Sequence, residues 1–167
     1  HSESSIDIDE KDPVGQYFRE STDYAGTFVP FETYAYDIIS DLNHGTQGYV
    51  EWCVILSHKG EPNPYDNFNS APVLINPETD EVIYTPLYYL LSHFSKFIRP
   101  DAVRIDLKGD VVDGLIYTAA KNTDGSIAIV VFNKNDAPTD VSFTIGDEVY
   151  SSKIASKAMQ TIHLQKP

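Results

Sequence analysis

Cationic side chains are scarce in this chain: 12 Lys and Arg stand against 25 Asp and Glu, for a formal net charge of -13. Such an acidic balance repels a phosphate backbone or an anionic bilayer, so nucleic acid is not an expected partner, and the excess charge reads first as a solvated surface. Cysteine is nearly absent. The single Cys53 excludes any intrachain disulfide and any cysteine-built zinc site. The histidines His1, His44, His58, His93 and His163 show no paired metal spacing, and neither a Gly-x-Ser-x-Gly elbow nor a glycine-rich phosphate loop occurs. Metal, phosphate and serine-nucleophile chemistry are thereby disfavoured, and no cofactor is expected. No apolar run approaches the roughly 18 residues of a membrane-spanning helix, and no signal peptide is visible. What is present, 41% apolar residues at a mean hydropathy of -0.28, describes an ordinary globular chain.

Periodicity divides the chain in two. Phe31, Tyr34, Ala35, Ile38, Ile39 and Leu42 fall on one face of a helix predicted over Pro30 to Leu42, stopped by Asn43, His44 and Gly45. The acidic stretch Ile6 to Val29 before it has no sustained period and reads as a long excursion loop. Tyr49 to Leu56 is nearly continuously apolar, interrupted by Glu51, as suits a strand covered on both faces in a parallel barrel. Ser57 to Ala71 is loop chemistry, and Val73 to Ile75 with Glu81 to Tyr84 reads as a hairpin. A second helix is expected over Pro86 to Ile98, burying Leu87, Leu90, Leu91, Phe94, Phe97 and Ile98 and stopped by Pro100.

Beyond Ala102 the pattern changes to short β-type runs at Val103–Leu107, Leu115–Lys121, Ser126–Phe132, Asp140–Ile145, Glu148–Ile154 and Met159–Leu164, with Thr123-Asp-Gly125 as a hairpin turn. Evenly spaced strands without helices between them indicate a β-sandwich. The expected division is an α/β piece over residues 1–101 and an all-β module over 102–167.

Four motifs in order resemble one family. Gly48-Tyr-Val-Glu-Trp-Cys53, Gly60-Glu-Pro-Asn63, Asn67-Phe68 and Pro86 to Ile98 resemble the last barrel strand and helix of glycoside hydrolase family 30, whose best-known members are glucosylceramidases. Ser92-His-Phe-Ser-Lys-Phe-Ile98 is close to identical to the glucosylceramidase sequence, and Val130-Val-Phe-Asn133 echoes a strand of the family's sandwich. The resemblance implies the last strands and helices of a (β/α)8 TIM barrel followed by a β-sandwich domain, about the last third of a family member. A whole barrel needs about 250 residues, more than the 167 present.

The resemblance also implies site residues. His1-Ser-Glu3 matches the segment that ends the seventh strand, which makes Glu3 the nucleophile of a retaining β-glycosidase; on its own, Glu3 is one acidic residue among 25. Trp52 would be the sugar platform, since apolar sugar faces stack on rings; without the resemblance it reads first as a core tryptophan. Glu51 would bind sugar hydroxyls or serve as a salt-bridged rim carboxylate. Asn67 and Phe68 would line the pocket, or Asn67 would hold the loop. His93 and Lys96 fit barrel-to-sandwich packing.

Departures from the family bound the activity. A retaining glycosidase uses two carboxyl groups about 5–5.5 Å apart, one attacking the anomeric carbon and one serving as acid and base. The family's acid/base sits in Asn-Glu-Pro on the fourth strand, and no Asn-Glu dipeptide occurs here. The chain alone is expected to be inactive, with that Glu supplied by an upstream barrel segment, on the same polypeptide or a separate chain. Cys53 replaces the usual Asn and Glu61 the usual Gly, leaving the substrate open among a glucosylceramide-type β-glucoside, an endo-β-1,6-glucan and a β-xyloside. The competing reading is a non-catalytic carbohydrate-binding or structural fragment. Against it, residues 102–167 hold only Tyr117, Phe132, Phe143 and Tyr150 as candidate stacking rings, and each fits a core-facing role. Open barrel edges imply a chain that dimerises, aggregates or is completed by a partner. The family setting implies a secreted, periplasmic or lysosomal location.

Overall fold

The computed structural model describes residues 7–8, 28–62, 68–69, 71–107, 112–145 and 147–165, with the backbone alone described at 7–8, 28–30 and 68–69. The chain divides into two compact units, His1–Tyr34 with Thr46–Leu91, and Ala35–Gly45 with Ser92–Pro167. Each is described by itself.

In the first unit, β1 (Asp7–Ile8) pairs antiparallel with β3 (Phe68–Asn69), in register Asp7↔Asn69 and Ile8↔Phe68. Two residues of each predicted loop are therefore strand. A two-residue bridge is too short to show a period, so it is set by its partner and not by a local pattern. Helix α1 (Phe28–Asn43), whose residues from Ala35 onward belong to the second unit, begins two residues before Pro30, which therefore sits in the first turn, where no intrahelical N–H bond is lost. It ends at the expected stop: the His44 amide donates to the Ser40 carbonyl at 3.0 Å, and Gly45 takes a φ of 95°.

The run Tyr49 to Leu56 departs from its prediction. Regular pairing is confined to β2 (Ile55–Ser57), parallel to β4 (Val73–Asn76), which pairs antiparallel with β5 (Glu81–Tyr84). Leu56 is buried with Ala71 and Leu74, and Cys53 and Ile83 pack against them. Val50, Val54 and Ile55 are exposed, Val54 at 64%. The run is thus not covered on both faces in this chain, because among the described residues only β4 flanks β2.

Between β5 and α2 (Pro86–Ser95), Thr85 ties the helix start to the sheet. Its Oγ1 donates to the carbonyls of Ala71 at 2.9 Å and Pro72 at 3.1 Å, while Pro86 opens the helix where its missing N–H costs nothing. The helix ends at Ser95, earlier than Ile98; turn bonds such as Ile98 N to Phe94 O, 2.8 Å, carry the chain on.

The second unit holds a four-stranded antiparallel sheet, in order β11 (Ala158–Leu164), β8 (Ile127–Asn133), β7 (Leu115–Lys121), β6 (Val103–Arg104), and a ribbon of β9 (Thr139–Ile145) with β10 (Glu148–Ile154). Alternation places Leu115, Ala119, Ile129 and Val131 on one sheet face, where Ile154, Val141, Phe143 and Ile145 of the ribbon close over them. On the opposite face lie Thr118, Ala120, Ala128, Val130 and Phe132, also buried. Strand β8 is consequently buried on both sides.

Only β6 is shorter than predicted. It pairs at Val103↔Lys121 and Arg104↔Ala120, and one further bond joins Ile105 N to Ala119 O at 2.9 Å. Of the four aromatics weighed as stacking rings, Phe132 is buried, Tyr117 and Phe143 pack on the sandwich core, and Tyr150 stacks on Phe143 at 5.9 Å between centroids.

Two buried asparagines secure this unit. Asn122 accepts from the Arg99 amide at 2.9 Å and donates to Phe97 O and Ser126 Oγ, each at 2.9 Å, fastening the hairpin turn to the segment after α2. Asn133 donates to the carbonyls of Ala137, Ile154 and Ala155 and accepts from the Asn135 amide at 3.0 Å.

Candidate active site

The segment before β2 brings together the expected sugar-binding residues that the structure describes. Trp52 is 44% exposed, so in this chain it is not a core tryptophan. It precedes the paired strand instead of ending it, and the Trp52–Cys53 peptide is cis. Next to it, Glu51 accepts a hydrogen bond at 2.5 Å from the hydroxyl of Tyr34, and its other oxygen is buried. Tyr34 comes from the apolar face of α1 and is 1% exposed. A phenol O–H donating to a carboxylate at this separation is a charge-assisted bond, about twice as strong as a neutral one.

Helical periodicity explains Tyr34 as one core position among six, and so conceals its hydroxyl. The available signal is chemical: a tyrosine on an otherwise wholly apolar buried face needs a partner for its O–H.

Cys53, where the family usually has Asn, turns its Sγ toward the Ile55 carbonyl at 3.6 Å. Burial is the main influence on its thiol and raises the pKa, with the Glu51 charge adding in the same direction, so Cys53 is a protonated packing group and not a nucleophile. After β2 the chain turns tightly. Ser57 N donates to Glu61 O at 2.6 Å, Ser57 Oγ accepts from the amides of Lys59 and Glu61 at 3.2 Å each, and Gly60 takes a φ of 75°. Glu61 itself is exposed.

Glu3 and Asn67 lie outside the described residues, and Phe68 is placed by its backbone in β3. Trp52 and Glu51 are therefore together, with Tyr34 as an unforeseen third member. His93 and Lys96 belong to the second unit: His93 Nδ1 is 2.9 Å from Thr161 Oγ1 of β11, and Lys96 lies over the Phe97 ring. Among the described residues no group of His, Cys, Asp and Glu is arranged to hold a metal ion.

A carboxylate fixed by a buried phenol beside a half-exposed indole is an arrangement suited to a sugar, with a ring for its apolar face and an acceptor for its hydroxyls. Comparison with known proteins points the same way. The glycosyl hydrolase family 30 TIM-barrel domain matches residues 7–98, and the family's β-sandwich domain matches residues 101–162. The chain belongs to glycosyl hydrolase family 30.

Among its relatives, putative glucosylceramidase 2 of Caenorhabditis elegans is 33% identical over 153 residues, which is 87% of this chain and 29% of that protein. The lysosomal acid glucosylceramidase of Mus musculus is 32% identical over 134 residues, 80% of this chain and 26% of that protein. The family 30 chain thus spans about a quarter of the curated relatives it matches. Of solved structures, SrfJ from Salmonella typhimurium superposes at a TM-score of 0.84, covering 100% of this chain and 35% of that one at 22% identity, a likeness of fold. The expected fold class, part of a TIM barrel with a β-sandwich, is that of the family.

Proposed function

We propose that the protein containing this family 30 chain is a retaining β-glycosidase acting on a β-glucoside of the glucosylceramide type. The observation that supports it most is the half-exposed Trp52 beside Glu51, whose carboxylate is held by buried Tyr34. The similarity to two relatives bearing the name glucosylceramidase supports the choice of sugar.

In this reading the Glu3 carboxylate attacks the anomeric carbon as the glycosidic C–O bond breaks. The acid/base Glu of the upstream barrel segment protonates the departing oxygen. Water, deprotonated by that same group, then displaces Glu3 from the glycosyl ester and restores both carboxyl groups. Trp52 stacks on the sugar, Glu51 accepts from its hydroxyls, and Asn67 and Phe68 line the pocket. A lysosomal or extracellular compartment goes with this reading, and no helix among the described residues is long and apolar enough to cross a membrane.

The test uses the full-length protein and a panel of fluorogenic β-glucoside, β-xyloside and β-1,6-glucan substrates. Hydrolysis of the β-glucoside above the other two supports the assignment; a preference for either of the others replaces it with that activity. Glu3→Gln is expected to lower turnover roughly 10^4-fold, the scale on which single catalytic groups act. A 2-deoxy-2-fluoro glucoside with a good leaving group should leave its covalent adduct on Glu3, and an adduct mapped to any other carboxylate sinks the nucleophile assignment.

A further inference from the structure

We propose that Tyr34 is a positioning residue for sugar recognition, acting through Glu51 and not by touching the substrate. The proposal rests on the reading of Glu51 as a sugar ligand. A carboxylate that must meet a sugar hydroxyl at a fixed angle loses affinity if it swings among rotamers, since ordering it on binding costs entropy. Tyr34 removes that freedom. Its ring is buried in the first unit on a helix face, and its hydroxyl donates a charge-assisted bond to Glu51 Oε1 at 2.5 Å; because Oε2 is buried, the sugar hydroxyl would share Oε1, which can accept a second bond.

The sequence separation matters. Tyr34 and Glu51 are 17 residues apart and belong to different elements, α1 and the segment before β2, so the bond fixes the carboxylate against a helix and not against its own segment. A rigid supporting residue of this kind is what holds a binding group in its productive geometry. Phenylalanine would fill the same core space equally well, so burial alone does not explain a tyrosine here.

The test is a double-mutant cycle in the full-length protein with the β-glucoside as substrate. Tyr34→Phe keeps the ring and deletes the hydroxyl; it is expected to lower kcat/KM about tenfold, chiefly through KM, as fits loss of one hydrogen bond to a charged group. In a Glu51→Ala background the same change should have no further effect. Glu51→Gln, which preserves volume and folding, is the second background, where the effect of Tyr34→Phe should shrink below about twofold because the bond is no longer charge-assisted. Effects that multiply independently overturn the proposal, as does a Tyr34→Phe enzyme with unchanged KM. If Tyr34→Phe lowers the unfolding midpoint but leaves KM intact, its role is structural and the proposal fails. If Glu51→Ala and Glu51→Gln both leave kcat/KM unchanged, Glu51 is no sugar ligand, and that reading falls together with this one.

Discussion

The two units of this chain treat apolar surface in opposite ways. In the sandwich, β8 is buried on both faces, Ile154 of the ribbon reaches the core of the four-stranded sheet, and Asn122 and Asn133 meet their backbone partners inside. In the barrel unit, Val50, Trp52, Val54, Ile55, Val82, Tyr84, Tyr88 and Tyr89 are all exposed, and β2 pairs with one described strand. The first region buries the middle of its sheet and leaves apolar side chains such as Val103 and Val149 exposed only towards its edges and turns. The second presents the surface that a parallel barrel strand normally covers from both sides. In the proposed reading, a site built on such a strand shares its chemistry with whatever completes the barrel, and no Asn-Glu dipeptide for the acid/base group occurs in this chain.

The contrast is broken most directly by placing one charge on each side of it. Val54→Asp in this chain alone is expected to change unfolding stability by no more than about 0.5 kcal/mol, because the side chain is already in water. In the full-length protein, where an upstream strand would cover Val54, the same substitution should cost about 3 kcal/mol or more and remove most of the soluble, active enzyme. Urea unfolding of the chain and soluble yield with β-glucoside turnover of the full-length protein measure the two arms. Equally mild effects in both would mean that nothing covers this face.

The sandwich offers the reverse experiment. Asn133→Ala deprives the carbonyls of Ala137, Ile154 and Ala155 and the Asn135 amide of their side-chain partner within a fully buried site. Here the cost should appear already in this chain, about 2–4 kcal/mol by chemical denaturation, as buried polar groups lose their bonds. A change below about 0.5 kcal/mol would show that water replaces the amide and that the sandwich is less self-sufficient than its burial implies.

The same contrast governs how far the sequence could be read. Strands β7 to β11 emerged almost residue for residue, because alternation and a turn such as Asp124-Gly125, with Gly125 at a φ of 86°, encode them locally. The run through Trp52 misled: its apolar content suits a barrel strand, but covering such a strand takes neighbours on both sides, and only β4 flanks it among the described residues. Polar residues were the hardest to place. Asn122 and Asn133 look like turn and strand-end chemistry in the sequence and prove to be buried clamps, and Tyr34 was absorbed into a hydrophobic face. Each takes part of its role from a partner distant in sequence, 25 residues away for Asn122, 21 and 22 for Asn133 and 17 for Tyr34, and no local pattern encodes that.

The smallest expected effect belongs to His93 in the second unit, which sits against Thr161 with its pKa lowered by burial from the ordinary value of 6.5. The unfolded chain therefore binds the proton more readily than the folded one. Between 6.5 and the lowered folded value, stability must fall as pH falls, and above 6.5 the residue adds no pH dependence. Urea midpoints of this chain measured at a series of pH values down from neutrality should decline more steeply in the unaltered chain than in His93→Gln, whose side chain does not titrate. The expected difference is modest, because the imidazole is only about half buried. A His93→Gln chain with an undiminished slope would assign the pH sensitivity elsewhere. A slope that vanishes would show that one half-buried ring beside β11 sets the pH sensitivity of this chain in that range.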